Sequence, residues 1–212
     1  MTADRYDTSG LDEARHQPGS DDTVLLNLRG IATAAEMNQA ETLALLQTTE
    51  AMFDRFDQHH RFTAEDICDM HRHWLGGIYP WAGNYRQVMM SKDGFPFAAP
   101  AFIPSLMAEF EQKILARHTP CHGDDETVAL SLAIVHVELV LIHPFREGNG
   151  RLARLLAMLM GLQADLPMLV FDEMEGEHRE GYFAAVQAGM GRDYEPMKGI
   201  FRRIIVQSRA EA

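Results

Sequence analysis

Apolar residues recur at helical spacing along most of the chain, and the pattern predicts a succession of amphipathic helices. Thr33 followed by Glu36 resembles a capping box and opens a helix reaching about Phe56; Thr63 with Asp66 opens another towards Trp74, stopped by Gly76 and Gly77. Leu106, Met107, Phe110, Ile114 and Leu115 mark a helix from Pro104 to Ala116. Glu126 to Ile142 is apolar nearly all round, which predicts a helix at the centre of the fold. Leu152, Leu155, Leu156, Leu159 and Leu162 give the next. One more follows around His178 to Met190, and a last one, opened by Glu195-Pro196, runs through Ile205 with its proline tolerated in the first turn. The stretch from Tyr85 to Phe97 breaks the helical period, and Asp93-Gly94 between extended runs signals a hairpin. The expected fold is an all-α bundle with one small β-hairpin.

Composition narrows the class. The chain has 212 residues with 46% hydrophobic content, enough for one sizeable core. Residues 1–22 are polar and carry Gly10, Pro18, Gly19 and Ser20, so a loose arm is expected there and a single domain over 23–208. A net charge of -12 disfavours non-specific binding to nucleic acid or an anionic membrane and favours a protein partner. Cys68 and Cys121 are too few for a disulfide framework, which fits a reducing compartment. The N-terminus has no basic segment followed by an apolar core, and the apolar run Leu130 to Ile142 is interrupted by His136 and Glu138. The expectation is therefore no signal peptide, no membrane span and a cytoplasmic chain; export by a specialised secretion machine would leave the same signature.

Candidate chemistry concentrates in His143 to Arg154, which read HPFREGNGRLAR. Gly148 and Gly150 lack Cβ, so backbone N–H groups can approach an anion and the chain can take positive φ. The leucine spacing that follows puts this turn at a helix N-terminus, where unpaired N–H groups and the macrodipole favour negative charge. Arg151 and Arg154, three apart, project from one turn and can fork onto phosphate oxygens. Glu147 is a hard oxygen ligand suited to magnesium on a nucleotide. His143, with an ordinary pKa near ~6.5, can take a proton from a hydroxyl. Singly, each residue is explained by capping or a solvated face; in this order they point to a nucleotide phosphate site.

HPFREGNGR followed by Arg154 resembles the Fic signature, HPFx(D/E)GNGRxxR, at every specified position. LLNLRGIATAAEMNQAE, WAGNYRQVMMSKDGFPFAAPAFIP and GYFAAVQAGMGRDYEPM are also Fic-like, so the resemblance spans most of residues 24–205. It implies a Fic-type helical bundle and a protein adenylyltransferase, moving AMP from ATP to a Ser, Thr or Tyr hydroxyl of a target protein with magnesium present. On that resemblance His143 deprotonates the target hydroxyl and Glu147 holds the magnesium. Gly148, Asn149 and Gly150 form the anion hole, Arg151 neutralises the leaving pyrophosphate and Arg154 grips the γ-phosphate. It further implies that Ser91, Lys92, Asp93, Gly94 and Phe95 form a flap that docks an extended target segment by strand addition. Two other readings stand beside it. A Doc-like protein kinase would carry Lys where this chain has Gly150 and would lack the second arginine; a non-catalytic, nucleotide-responsive binding module would have no use for His143 and Glu147.

Phe145 is expected to anchor the loop in the core. The resemblance suggests that one ring of Tyr182 and Tyr194 borders the adenine, whereas helical spacing reads Tyr182 as core, and His136 also reads as core. His59, His60, His71 and His73 come without the partners a zinc site needs. Regulation in some Fic proteins uses a helix marked (S/T)xxxE(G/N). Ser9 to Ala14 has the Ser-to-Glu spacing but ends in Ala14, so a separate inhibitor protein, as in a toxin-antitoxin pair, is the expected partner, with Arg154 its point of attack.

Overall fold

Side-chain caps set the helix starts. In the computed structural model, which describes residues 10–212, Thr33 Oγ1 accepts from Glu36 N (3.3 Å) and α1 runs Ala34–Arg55. Thr63 and Asp66 close a reciprocal box: Asp66 N donates to Thr63 Oγ1 (3.1 Å) and Thr63 N to Asp66 Oδ2 (2.9 Å). Helix α2 then runs Ala64–Leu75 and stops at Gly76. Helix α3, Ile103–Phe110, continues through a π-helical turn, Glu111–Leu115, and a final α turn, Ala116–His118. Asp124 caps α4, Asp125–Ile142, by accepting from Thr127 N (2.8 Å). The remaining helices are α5 (Asn149–Gln163), α6 (Arg179–Ala188) and α7 (Glu195–Ala210).

As the all-round apolar pattern implies, α4 is the central helix, packed against α5 on one side and α7 on another, with Val128, Leu132, Val135, Leu139 and Ile142 buried. His136 sits within this core, where its Nε2 lies 2.9 Å from the Tyr182 hydroxyl; burial pulls its pKa down to about 3, so the ring is neutral. Tyr194 instead meets Glu138 through its hydroxyl. Helix α7 continues past Ile205 to Ala210 because Ser208 is also buried, donating to Ile204 O (2.8 Å) and accepting from Val170 N (2.9 Å). No helix among the described residues is long and apolar enough to cross a membrane.

The hairpin is smaller than the extended run suggests. Only β1 (Ser91–Lys92) and β2 (Phe95–Pro96) pair, antiparallel, across Asp93 (φ 50°) and Gly94 (φ 80°), the two positive-φ positions that a tight primed turn requires. One further bond, from Phe97 N to Met90 O (3.1 Å), extends the pairing, and the residues before Met90 have backbone groups committed elsewhere. Arg86 N donates to Pro144 O (2.9 Å), Gln87 N to the Glu13 carboxylate (2.6 Å), and Val88 O accepts from the Arg86 side chain (2.6 Å). The segment read as a loose arm lies against the domain over its described part, residues 10–22. Glu13 is buried at that contact, and Gln17 N and Leu26 N exchange bonds with Val24 O (2.8 Å) and Arg15 O (2.9 Å). Ser9 lies outside the described residues; the Glu13 carboxylate meets Gln87 N, not an arginine of the motif.

Helix α4 ends where the motif begins, and α5 starts inside it, so the core that packs α4 on α5 also sets the site. Close packing extends to Gly189, where a Cβ would stand 2.2 Å from Val137 Cγ1 on α4. Gly189→Ala is expected to lower stability by about 1–3 kcal/mol, measured as a fall in the urea midpoint; an unchanged midpoint would mean that this approach is not close-packed.

Candidate active site

His143 is the residue on which α4 ends. Its N–H still bonds to Leu139 O (3.0 Å), but its own backbone is left-handed (φ 53°, ψ 58°), which turns the chain out of the helix. Three contacts hold it there. Arg86 Nε donates to His143 O (2.7 Å), His143 Nδ1 donates to Val140 O (3.2 Å), and the imidazole stacks on Phe97 at 3.7 Å between centroids and 14° between planes. With Nδ1 carrying the proton, Nε2 is the basic nitrogen, and it belongs to the side chain that lines the cavity. Burial pulls the pKa to about 4, against the Val140 hydrogen bond and with help from the charges of Arg86 and Lys92. The ring is a neutral acceptor at pH 7.

The turn after it is locked from below. Phe145 is fully buried, and Asn149 braces the loop with both ends of its amide: Phe145 N donates to Oδ1 (2.9 Å) and Nδ2 donates to Phe145 O (2.8 Å). The Asn149 side chain therefore serves the loop, and only its backbone N–H is left for an anion. His71 stacks on Phe145 at 3.9 Å, takes a bond from Gly83 N on Nδ1 (2.8 Å) and gives one from Nε2 to Glu147 O (3.1 Å). Burial holds its pKa at about 4. Gly148 is the N-cap of α5 at φ 82°, and a Cβ there would meet the Trp74 ring at 2.5 Å, so glycine is required for both conformation and space. Gly150 is helical, and a Cβ on it would touch nothing within 4 Å; its contribution is access to the helix start. Asn149, Gly150 and Arg151 supply first-turn N–H groups that no intrahelical carbonyl can satisfy.

The cavity above this turn has a volume of about 450 Å³. His143, Glu147, Gly148, Asn149, Gly150, Arg151 and Arg154 of the motif line it together with Ser91 and Lys92 of the hairpin. Asp93, Gly94 and Phe95 form the hairpin tip and do not line it. Arg151 is paired with Glu41 (2.6 Å) and, more loosely, with Glu147 (3.5 Å); Arg154 is paired with the exposed Glu175 (3.2 Å). Sequence reasoning missed Asn38, Met90, Phe97, Arg146 and Arg179, which also line the cavity. The basic residue between Phe145 and Glu147 was the available hint for Arg146. Lys92 lies over the Phe183 ring (3.9 Å), and the Arg179 guanidinium is 5.4 Å from the centre of the same ring.

No three His, Cys, Asp or Glu side chains gather as a metal-binding group among the described residues. Glu147 is 42% exposed; its Oε1 accepts from Gly148 N (2.8 Å), and its second oxygen has no partner among the described residues. One free carboxylate oxygen at a cavity lined by arginines fits magnesium, which commonly takes one or two carboxylates and fills its shell with phosphate and water.

Fold and site together define a helical protein of the Fic fold. The BepC effector of Bartonella tribocorum, solved with bound AMPPNP, superposes with a TM-score of 0.70 over 91% of this chain and 96% of its own, at 21% identity. Residues 61–160 match the Fic/DOC family model, and the chain belongs to that family. Protein adenylyltransferase fic-1 of Caenorhabditis briggsae is 31% identical over 144 residues, covering 66% of this chain and 26% of that protein. Protein adenylyltransferase VbhT of Bartonella schoenbuchensis is 31% identical over 166 residues, 76% of this chain and 34% of its own length. The chain thus spans about a quarter to a third of the curated relatives it matches.

In the nucleotide-free protein, NMR titration should place the His143 midpoint at about 4. A midpoint near the ordinary ~6.5 would mean that the ring is open to water.

Proposed function

We propose that this chain transfers AMP from ATP to a Ser, Thr or Tyr hydroxyl of a target protein, releasing pyrophosphate. The observation that carries the reading is the shared cavity: a neutral imidazole and an unsatisfied helix start with two arginines line the same 450 Å³. The relatives at 31% identity bear the name protein adenylyltransferase, and BepC was solved with an ATP analogue, both in keeping with this activity.

In the proposed reaction His143 Nε2 takes the proton from the acceptor hydroxyl as its oxygen attacks the α-phosphorus. The bond from that phosphorus to the bridging oxygen breaks, and the electron pair leaves on pyrophosphate. The N–H groups of Asn149, Gly150 and Arg151 face the phosphate oxygens, Arg151 offsets the charge growing on the leaving group, and Arg154 exchanges Glu175 for the γ-phosphate. The pair with Glu175 is exposed, so little opposes the exchange. Glu147 would hold magnesium, which when bound neutralises charge on the phosphates. Ser91 and Lys92 border the cavity, and with Asp93, Gly94 and Phe95 they present the edge on which an extended target segment is held. Residues 23–208 act as the catalytic unit. A separate inhibitor protein directed at Arg154, in the manner of an antitoxin, is the proposed control, and the cytoplasm the proposed site of action.

His143→Ala should abolish label transfer from ATP while ATP binding, measured by calorimetry, persists; equal loss of both would remove the base assignment. Arg154→Ala should instead weaken ATP binding, by roughly 10-fold or more for a lost charge-assisted pair.

A further inference from the structure

Arg151 stands between two cavities. The 450 Å³ one holds the motif; a second, of about 210 Å³, adjoins it and is lined by Met37, Glu41, Tyr79, Glu147 and Arg151. Arg151 thus borders both spaces, and something must decide which its guanidinium serves. Glu41 on α1 is placed to do so. Its carboxylate is 7% exposed, with Oε2 2.6 Å from Arg151 Nη2 and Oε1 accepting from the Tyr79 hydroxyl at 2.7 Å. Its backbone carbonyl accepts from Trp74 Nε1 (2.8 Å), and the same Trp74 ring carries the Arg151 guanidinium 4.7 Å above it. Glu41 is thus fixed at both backbone and side chain, and cannot follow Arg151 if that side chain moves. Arg151 Nε and Nη1 have no partner among the described residues, which leaves part of the fork for a ligand.

We propose that Glu41 is a positioning residue: through Arg151 it fixes a cation on the side from which pyrophosphate leaves. This rests on the AMP-transfer reading. Two effects of Glu41 oppose each other. Its negative charge weakens the attraction of Arg151 for bound ATP, while its grip removes the freedom of a long side chain. Ground-state binding feels mainly the first effect. The transition state, in which charge builds on one bridging oxygen, needs the second. Glu41 should therefore govern turnover and hardly touch ATP affinity, whereas a carboxylate that merely braced α1 against α5 would move stability and affinity together.

The test compares the full chain with Glu41→Gln, which keeps the shape and removes the charge, and with Tyr79→Phe, which loosens the carboxylate. In cell lysate with magnesium and α-labelled ATP, Glu41→Gln should lower transfer at least about tenfold while the calorimetric Kd for magnesium-ATP stays within about threefold or tightens. Tyr79→Phe should shift transfer in the same direction by less. Unchanged transfer, faster transfer, or loss of transfer matched by equal loss of ATP affinity would each overturn the proposal. A second readout does not depend on activity. In arginine-labelled protein, NMR should show slowed rotation of the Arg151 guanidinium, assigned by Arg151→Lys, and Glu41→Gln should release it. Identical rotation in the two proteins would also overturn the proposal. If the wild-type chain transfers no α-label, the AMP-transfer reading itself fails, and with it the role in turnover; the NMR comparison still shows whether Glu41 holds Arg151.

Discussion

Arg86 is the interaction around which the site is assembled. Its guanidinium is 1% exposed and has no carboxylate within ion-pair distance among the described residues, so carbonyl dipoles must solvate a full charge. It donates Nε to His143 O (2.7 Å), Nη1 to Val88 O (2.6 Å) and Nη2 to Ala98 O (2.6 Å). Those carbonyls belong to the end of α4, the approach to the hairpin and the exit from it. Releasing any one would leave part of a buried charge unsolvated, so His143 and the hairpin are held in one geometry. Phe97, just past the hairpin, then closes over the imidazole.

The site's electrostatics follow from this scaffold. Burial depresses His143 and His71 alike, but with different consequences: His71 uses both ring nitrogens inside the fold, while His143 spends only Nδ1 and keeps Nε2 as an acceptor. Around it the cavity gathers Lys92, Arg146, Arg151, Arg154 and Arg179 in a chain whose net charge is -12. Positive side chains are concentrated where a polyphosphate would sit and outnumbered elsewhere, which focuses attraction on one cleft. The pairings of Arg151 with buried Glu41 and of Arg154 with exposed Glu175 separate the arginines into one held and one free to exchange.

Local signals carried most of the fold. The threonine caps, the all-round apolar α4 and the glycine-capped start of α5 are each written within a few consecutive residues, and each formed where the pattern put it. The motif was legible for the same reason: His143, Arg146 to Arg151 and Arg154 line one cavity from a single turn and the helix it opens. What escaped is carried by partners remote in sequence. Glu41 meets Arg151 across 110 positions, His71 meets Glu147 across 76, and Arg86 meets His143 across 57. Nothing within any of these local stretches announces the partner; an isolated buried-site Arg or Glu reads as an ordinary solvated face. The short hairpin and the docking of residues 10–22 have the same origin, since Gln87 N, which would otherwise be free for strand pairing, is taken by Glu13.

Transfer of the adenylyl group of ATP from this cleft is read by supplying the chain in cell lysate with magnesium and ATP labelled at the α- or the γ-phosphate. Only the α-label should become attached to protein. Attachment of the γ-label alone would contradict it and make the chain a kinase.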